Sequence, residues 1–139
     1  MNDQPDLEEI ARDQPPFARF LGMRVVSFDT ECVVAEMEVS DVLANRNGVL
    51  HGGAIMALAD NLGGTATFLN IRPDQGTTTL ESKTNFFRPV PIGETLRAEA
   101  RALHKGRRTM VWQTVLTRSD GKVAAIVTQT QMVLEQGGG

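Results

Sequence analysis

Residues 53–69 read GAIMALADNLGGTATFL, and this stretch decides what kind of fold the chain can adopt. Its aliphatic side chains recur at the three- and four-residue spacing of one helical face, which predicts a helix over about 53–69. The residues of that face are Ile55, Leu58, Ala59, Leu62 and Leu69. The remaining faces are mostly small or apolar too, so the helix has to be covered on most of its sides.

Strand patterns lie on both sides of this helix. Two precede it, over 23–29 and 31–39, and four follow it, over 77–87, 95–104, 108–118 and 122–134. Short turns, among them Ser-Asp-Gly at 119–121, join the last four strands, which predicts an antiparallel meander. A strongly curved antiparallel sheet wrapped around the helix would cover it. The predicted class is therefore α+β.

Composition narrows the classes of partner. A length of 139 residues suits one domain. A formal net charge of −3 argues against nucleic acid as the main partner. No apolar run reaches membrane-spanning length, so no membrane segment is expected. The acidic start MNDQPDLEEIARDQPP lacks the apolar core of a secretory signal.

Cysteine and histidine usage favours a cytoplasmic protein without a metal. Cys32 is the only cysteine, so no intramolecular disulfide can form and a reducing cytoplasm fits. No activating pattern surrounds it, and we expect a small core residue. His51 and His104 are the only histidines, and they fall far short of a zinc-ligand pattern.

Asp60 is the one acid inside the predicted helix. A carboxylate in an apolar helix is costly to bury, so it needs a partner or a chemical role. Asp60 lies off the main apolar stripe, along a side shared with Met56, Gly63 or Gly64, and Thr67. Two glycines in mid-helix each cost about 1 kcal/mol relative to alanine. They are best explained by close approach of another backbone, which on this side could belong to a second protomer.

The start of the helix is a second candidate feature. His51, Gly52 and Gly53 stand where free backbone N–H groups gather, which favours binding of an oxyanion or a polarised carbonyl. The alternative is that His-Gly-Gly is only a turn and that Asp60 is a hydrogen-bonded structural acid. Spacing alone does not choose between these interpretations.

Basic residues are concentrated in one part of this acidic chain, from residue 88 to residue 108. They are Arg88, Arg97, Arg101, Lys105, Arg107 and Arg108, against only Glu94 and Glu99. A local basic surface suits a small anionic ligand. Charge alone favours the simpler interpretation, a solvated strand face.

Three stretches together resemble a known family. They are HGGAIMALAD at 51–60, TTTLESKTNFFRPVPIGETLRAEARALHKGRRT at 77–109 and DGKVAAIVTQT at 120–130. They resemble the hotdog-fold acyl-CoA thioesterases, most closely the PaaI-like (phenylacetate-degradation) group, over about 17–134. The resemblance implies a curved antiparallel sheet around one long central helix. The expected organisation is an N-terminal helical extension at 1–16, a single hotdog domain at 17–135 and a disordered tail at 136–139.

The resemblance also implies roles for individual residues. Asp60 matches the family's catalytic carboxylate, acting as nucleophile or as general base on water. Gly52 matches the glycine whose N–H polarises the thioester carbonyl, with Gly53 beside it. Asn45 matches a loop asparagine that helps hold the thioester or the lytic water, and His51 matches a histidine that orients this loop. Thr79 falls where relatives carry a small hydroxyl that can help place water.

Assembly and substrate follow from the same resemblance. The family builds its site at a dimer interface, with Asp60 facing the partner subunit's Asn45, His51 and Gly52, and tetramers are usual. The implied substrate is an acyl-CoA, aryl-acetyl or medium-chain. No cofactor is expected, because coenzyme A is part of the substrate. The candidates to contact its phosphates, or to bring the backbone close to them, are Arg88, Lys105, Gly106, Arg107 and Arg108.

Two other functions stay open from sequence. The same fold hosts hydratases and dehydratases of acyl thioesters, and it could also serve as a non-catalytic acyl-CoA-binding domain. The spacing from His51 to Asp60 favours the thioesterase over the hydratase. The joint presence of Asp60, Gly52 and Asn45 argues against a pure binding domain.

Overall fold

The computed structural model describes residues 6–135, so the tail predicted at 136–139 lies outside the described residues. Within this range, three helices and six strands follow one another. In order they are α1 (Leu7–Arg12), α2 (Pro16–Leu21), β1 (Arg24–Phe28), β2 (Cys32–Glu38), α3 (Gly52–Phe68), β3 (Gln75–Phe86), β4 (Thr95–Lys105), β5 (Thr109–Thr117) and β6 (Val123–Glu135). A short 3₁₀ turn at Asp41–Leu43 lies between β2 and α3. None of the helices in 6–135 is both long and apolar enough to cross a bilayer.

The central helix and its surrounding sheet are as predicted. The six strands form one antiparallel sheet in the order β1-β2-β4-β5-β6-β3, and α3 packs against five of them, β2 to β6. All five residues of the predicted helical stripe are buried. Facing side chains of the sheet, such as Met37, Leu96 and Trp112, are completely buried. The α+β prediction of a sheet curved around one long helix is therefore confirmed.

The predicted four-strand meander is wrong at β3. Strands β4, β5 and β6 follow one another as a meander, but β3 pairs with β6 and not with β4. Residues 87–94 connect β3 to β4, and eight residues exceed the usual length of a hairpin loop. This connection crosses the β5–β6 end of the sheet, where the N–H groups of Phe87 and Arg88 donate to the Ala124 carbonyl. As a result β3 lies at the edge of the sheet.

The two mid-helix glycines have different surroundings. A Cβ on Gly63 would lie 2.4 Å from the side-chain amide of Gln129, whereas a Cβ on Gly64 would meet nothing within 4 Å. The buried Thr67 hydroxyl donates to the Gly63 carbonyl and accepts from the Trp112 indole N–H. Gly63 and Thr67 therefore face the sheet and do not share the side of Asp60. The approach of a second backbone is the wrong explanation for Gly63, because a side chain of β6 in the same chain occupies that space.

This packing makes Gly63→Ala strongly unfavourable. We expect a loss of about 1–3 kcal/mol in the free energy of unfolding, because the added methyl overpacks a closed site. Gly64→Ala is the matched control, since it makes the same change in the same helix without that clash. Urea denaturation of both variants measures the difference. Equal stabilities would contradict the assigned role of Gln129.

The first helices belong to the same core. Ala11 in α1 and Ala18 in α2 are completely buried. Gln14, which lies between these helices, is also buried, and its side-chain oxygen accepts a hydrogen bond from the Thr65 hydroxyl of α3 at 3.2 Å. The division between an extension and a domain at residue 16 remains a prediction, and the packing is continuous across it.

Candidate functional site

At the start of α3, one backbone donor is unpaired within the part of the chain that the structure describes. His51 caps the helix: its Nδ1 accepts from the Gly53 N–H at 2.8 Å, and its carbonyl oxygen accepts from Ala54 and Ile55. The first N–H groups of a helix have no intrahelical partner, so each needs another acceptor. The Gly53 N–H, expected to be free, is occupied by this cap. The Gly52 N–H has no acceptor among residues 6–135, and it is available to a carbonyl oxygen or an oxyanion.

Asn45 lies in the same cleft as Gly52, which has a volume of about 400 Å³. Its Oδ1 accepts from the N–H groups of Asn47 and Val49 at 2.9 and 3.2 Å, as in an Asx turn. Because backbone N–H groups only donate, the amide oxygen is committed to the loop and the Nδ2 group is left as a donor. Within 6–135 this Nδ2 group has no acceptor. The cleft therefore carries two N–H donors.

The loop that holds these donors is fixed to the rest of the fold. The Leu50 N–H donates to the Val90 carbonyl at 2.9 Å, and the His51 N–H donates to the Leu43 carbonyl at 2.8 Å. The Phe86 ring covers Gly52, where an added Cβ would lie 3.2 Å from it. Donors held on such a pinned loop need little reorganisation when charge develops on a substrate oxygen.

Asp60 lies in a second cleft of about 410 Å³, together with Thr77, Thr79 and Gln131. The carboxylate is exposed, and its Oδ1 accepts a hydrogen bond from the Thr79 hydroxyl at 2.6 Å. The structure thus brings together two residues, Asp60 and Thr79, that the sequence named separately. The pairing is possible because the edge strand β3 runs beside the exposed side of α3.

Two buried glutamines extend this pair into the core. Gln131 donates from Nε2 to the Thr79 hydroxyl oxygen at 2.7 Å and to Gln129 Oε1 at 2.6 Å. Gln129 in turn donates to the Ala59 carbonyl at 2.7 Å. Both glutamines are at most 1% exposed. The sequence analysis did not identify them. A signal was present, because the two glutamines alternate along β6 with the same period as Val127 and Val133 and therefore share the inward face of the strand.

The two clefts are separate within one chain. They have no lining residue in common. Gly52 and Asp60 lie eight residues apart on α3. At the rise of an α-helix, eight residues correspond to about 12 Å along the axis. One substrate carbon therefore cannot contact the Asp60 carboxylate while its oxygen binds the Gly52 N–H of the same chain.

The candidate basic residues do not form one cluster in a single chain. Lys105 forms an ion pair with Glu31 and also donates to the Thr30 carbonyl and to Asn70. Gly106 lies in a tight turn, where an added Cβ would be 2.9 Å from the Thr109 carbonyl oxygen.

Three arginines divide between the two ends of the sheet. Arg107 and Arg108 border a cleft with the last residues of β6. Arg88 lines the Gly52 cleft and donates to the carbonyl of Val123, at the first residue of β6. Ten strand residues separate these two ends, about 33 Å.

Among the described residues, the other reactive groups offer no second centre. Within 6–135, no three His, Cys, Asp or Glu side chains converge as a metal site would require. The half-buried Cys32 thiol lies 3.6 Å from Glu99 Oε1. Burial raises the pKa of this thiol, which disfavours a reactive thiolate.

Large apolar side chains are exposed around α3 and β3. Met56 and Phe68 on α3 are 40% and 41% exposed, and Leu80 and Phe86 on β3 are 55% and 53% exposed. Asp60 lies on the helix between the first two. Exposed apolar residues grouped in this way mark a surface that another protein or a ligand covers.

Comparison with known proteins agrees with this fold. A model of the family described as the thioesterase superfamily matches residues 47–125. The putative esterase PA1618 of Pseudomonas aeruginosa is 37% identical over 136 residues, covering 96% of this chain and 93% of that protein. A crystal structure of a mutant of that protein, described there as a thioesterase, superposes with a TM-score of 0.86 at 35% identity, covering 94% and 95% of the two chains.

Two further solved structures are informative. The PaaI protein of the Escherichia coli phenylacetic acid degradation operon superposes with a TM-score of 0.80 at 25% identity, covering 86% of this chain and 85% of that one. A Streptococcus mutans protein bound to acetyl CoA superposes with a TM-score of 0.76 at 30% identity, covering 81% and 89%. The resemblance that the sequence indicated is thereby confirmed. The chain belongs to the thioesterase superfamily and is a thioester hydrolase with the hotdog fold.

Proposed function

We propose that the protein is an acyl-CoA thioesterase that hydrolyses an acyl- or aryl-acyl-CoA to the free acid and coenzyme A. Asp60 of one subunit acts as nucleophile or general base, and the partner subunit's Gly52 polarises the carbonyl through its N–H. The observation that supports the proposal is that the two reactive groups lie at separate places on α3. The carboxylate and the unpaired N–H lie about 12 Å apart on one helix, in clefts that share no residue.

A two-fold dimer would bring these halves together. In a symmetric interface, if Asp60 of one subunit meets the start of α3 in its partner, the reverse contact forms as well. Two equal sites result. The exposed apolar residues Met56, Phe68, Leu80 and Phe86 would be covered by the same contact. Pairing of two dimers into a tetramer, expected from the resemblance, can be measured by sedimentation.

The chemistry follows from the donors and the carboxylate. Gly52 N–H and Asn45 Nδ2 would hold the thioester oxygen and stabilise the oxyanion that develops on it. Oδ1 of Asp60 is committed to Thr79, so Oδ2 is free to accept a proton from water or to attack the carbon. In the general-base route, the water oxygen bonds to the carbonyl carbon as its proton passes to Asp60; the C–S bond breaks and the proton goes to the coenzyme A sulfur, which gives the acid directly. In the nucleophilic route, Oδ2 bonds to the carbonyl carbon as the C–S bond breaks and coenzyme A leaves; water then hydrolyses the mixed anhydride and restores the carboxylate.

The substrate class rests on the basic residues and on the Streptococcus mutans protein bound to acetyl CoA. Arg88 is one candidate for a phosphate contact, at the rim of the cleft of Gly52 and Asn45. Arg107 and Arg108 are the remaining candidates, since Lys105 is engaged by Glu31. Arginine suits phosphate oxygens because its planar donors match their geometry. The proposed reaction needs no cofactor.

Free coenzyme A released from a panel of acyl-CoAs tests the proposal. The panel contains phenylacetyl-CoA and straight-chain acyl-CoAs of increasing length, and a thiol reagent measures release. We expect turnover of an aryl-acetyl or medium-chain member. Binding of acyl-CoA without release would support a binding domain, and conversion of an enoyl-CoA to its hydrated product would support a hydratase.

A further inference from the structure

We propose that Gln131 is a positioning residue, which acts through Thr79 to hold Asp60 ready for the reaction. The inference rests on the proposed function of Asp60 and adds Gln129 and Gln131 to the site. The carrying observation is a closed chain of hydrogen bonds that starts at the carbonyl of Ala59 and ends on the carboxylate of Asp60, the next residue of α3.

The direction of every bond in this chain is determined. A backbone carbonyl only accepts, so Gln129 must present Nε2 to Ala59 and Oε1 to Gln131. Gln131 therefore presents Nε2, and its two amide hydrogens go to Gln129 Oε1 and to the Thr79 oxygen. A hydroxyl has one hydrogen. The Thr79 oxygen accepts from Gln131, and because a carboxylate oxygen only accepts, the single Thr79 hydrogen is directed to Oδ1 of Asp60.

Burial makes this chain of hydrogen bonds rigid. Gln129 and Gln131 are 0% and 1% exposed, so water does not compete for their hydrogen bonds. A buried amide costs free energy unless each of its polar groups is paired. Here the last group, Gln131 Oε1, lies 2.9 Å from the Thr77 hydroxyl, whose single hydrogen it shares with the Met132 carbonyl, also at 2.9 Å. Gln129 occupies the space that a side chain at Gly63 would fill, so this chain of hydrogen bonds also requires a glycine at that position of α3.

This arrangement changes the role expected of Thr79. Its hydrogen is committed to Asp60, so Thr79 does not donate to the lytic water. It fixes one carboxylate oxygen and leaves the other to face the water or the thioester carbon. Removing Gln131 would free the Thr79 hydroxyl to rotate, and Asp60 would lose its fixed orientation.

The test is a double-mutant cycle on kcat and KM. Gln131→Met and Thr79→Val remove the amide donor and the hydroxyl while keeping similar volumes. We expect each to lower kcat about tenfold with little change in KM, and the double variant to be no worse than Thr79→Val. Thr79→Ser, which keeps the hydroxyl, should retain activity. Gln113→Met is the matched control, since Gln113 lies on β5, pairs with Arg101 and Thr128, and lines neither cleft.

The outcomes separate this inference from the proposed function. Full kcat in Gln131→Met, or losses that multiply in the double variant, would overturn the inference, because Gln131 would then not act through Thr79. A fall in thermal stability with unchanged kcat would show a merely structural role and would overturn it too. Asp60→Asn leaves the glutamines in place, so activity retained in that variant refutes the catalytic role of Asp60, whereas absence of coenzyme A release from every acyl-CoA in the wild-type protein refutes the proposed function.

Discussion

Asp60→Asn is expected to lower kcat by at least about 100-fold, the lower range for a lost general base. The asparagine amide has nearly the same shape, and its oxygen can still accept from the Thr79 hydroxyl. It cannot take a proton from water and is a poor nucleophile toward a thioester. KM should change little, because the proposed binding donors, Asn45 and Gly52, are untouched. The loss therefore falls on the chemical step.

The fold should survive this substitution. Asp60 is exposed, and no basic side chain pairs with it among residues 6–135. Asp41→Asn makes the same chemical change at an exposed acid that borders neither cleft, and it should keep wild-type kcat. Initial rates of coenzyme A release and thermal melting of both variants complete the comparison. Full activity in a folded Asp60→Asn protein would make Asp60 a structural acid.

The predictable part of the fold is the part encoded by local periodicity. The aliphatic spacing predicted the helix over about 53–69, and α3 covers Gly52–Phe68. In the strand pattern at 95–104, Leu96, Ala98, Ala100 and Ala102 alternate with polar residues, which likewise indicates one inward face. In β4 the first three are completely buried and Ala102 is partly buried against the core. Such patterns are reliable because burial of one face repeats with the period of the element.

Long-range pairing was harder to predict. The pairing of β3 with β6 depends on how residues 87–94 cross the end of the sheet, which no turn motif encodes. The close approach of Gln129 to Gly63 likewise brings together β6 and α3, which are far apart in the sequence.

The candidate site also has a part that could be predicted from local sequence and a part that could not. His51, Gly52 and Asp60 form a local motif and could be named from sequence. Gln131 contacts Thr79 only because β3 and β6 are neighbours, and so its position could be known only from the fold.

Gly52→Pro is expected to reduce kcat by about 10²–10³, the loss measured when one oxyanion donor is removed. Proline has no backbone N–H, so this change deletes the donor at the start of α3 for which residues 6–135 provide no acceptor. The helix should tolerate it. Gly52 is the first helical residue, where proline is favoured. His51 has φ −65° and ψ 135°, the extended conformation that a residue before proline prefers.

Gly52→Ala is the control that isolates the N–H group. Both substitutions add a Cβ equally close to the Phe86 ring, so that contact is the same in the two variants. Only proline removes the donor. We therefore expect alanine to cost much less than proline in kcat, with both proteins folded by circular dichroism. Equal losses would attribute the effect to the ring contact and would remove Gly52 from the proposed oxyanion site.

Mixing the two inactive variants tests whether the donor and the carboxylate act across the interface. In a mixed dimer, the subunit carrying Gly52→Pro still supplies Asp60, and the subunit carrying Asp60→Asn still supplies Gly52. One of the two sites is then intact. With random pairing, half of the dimers are mixed, so co-expression should restore about a quarter of wild-type activity. If each site used Gly52 and Asp60 of the same chain, every mixture would stay inactive, and the 12 Å separation along α3 would have to be bridged by a change in the helix itself.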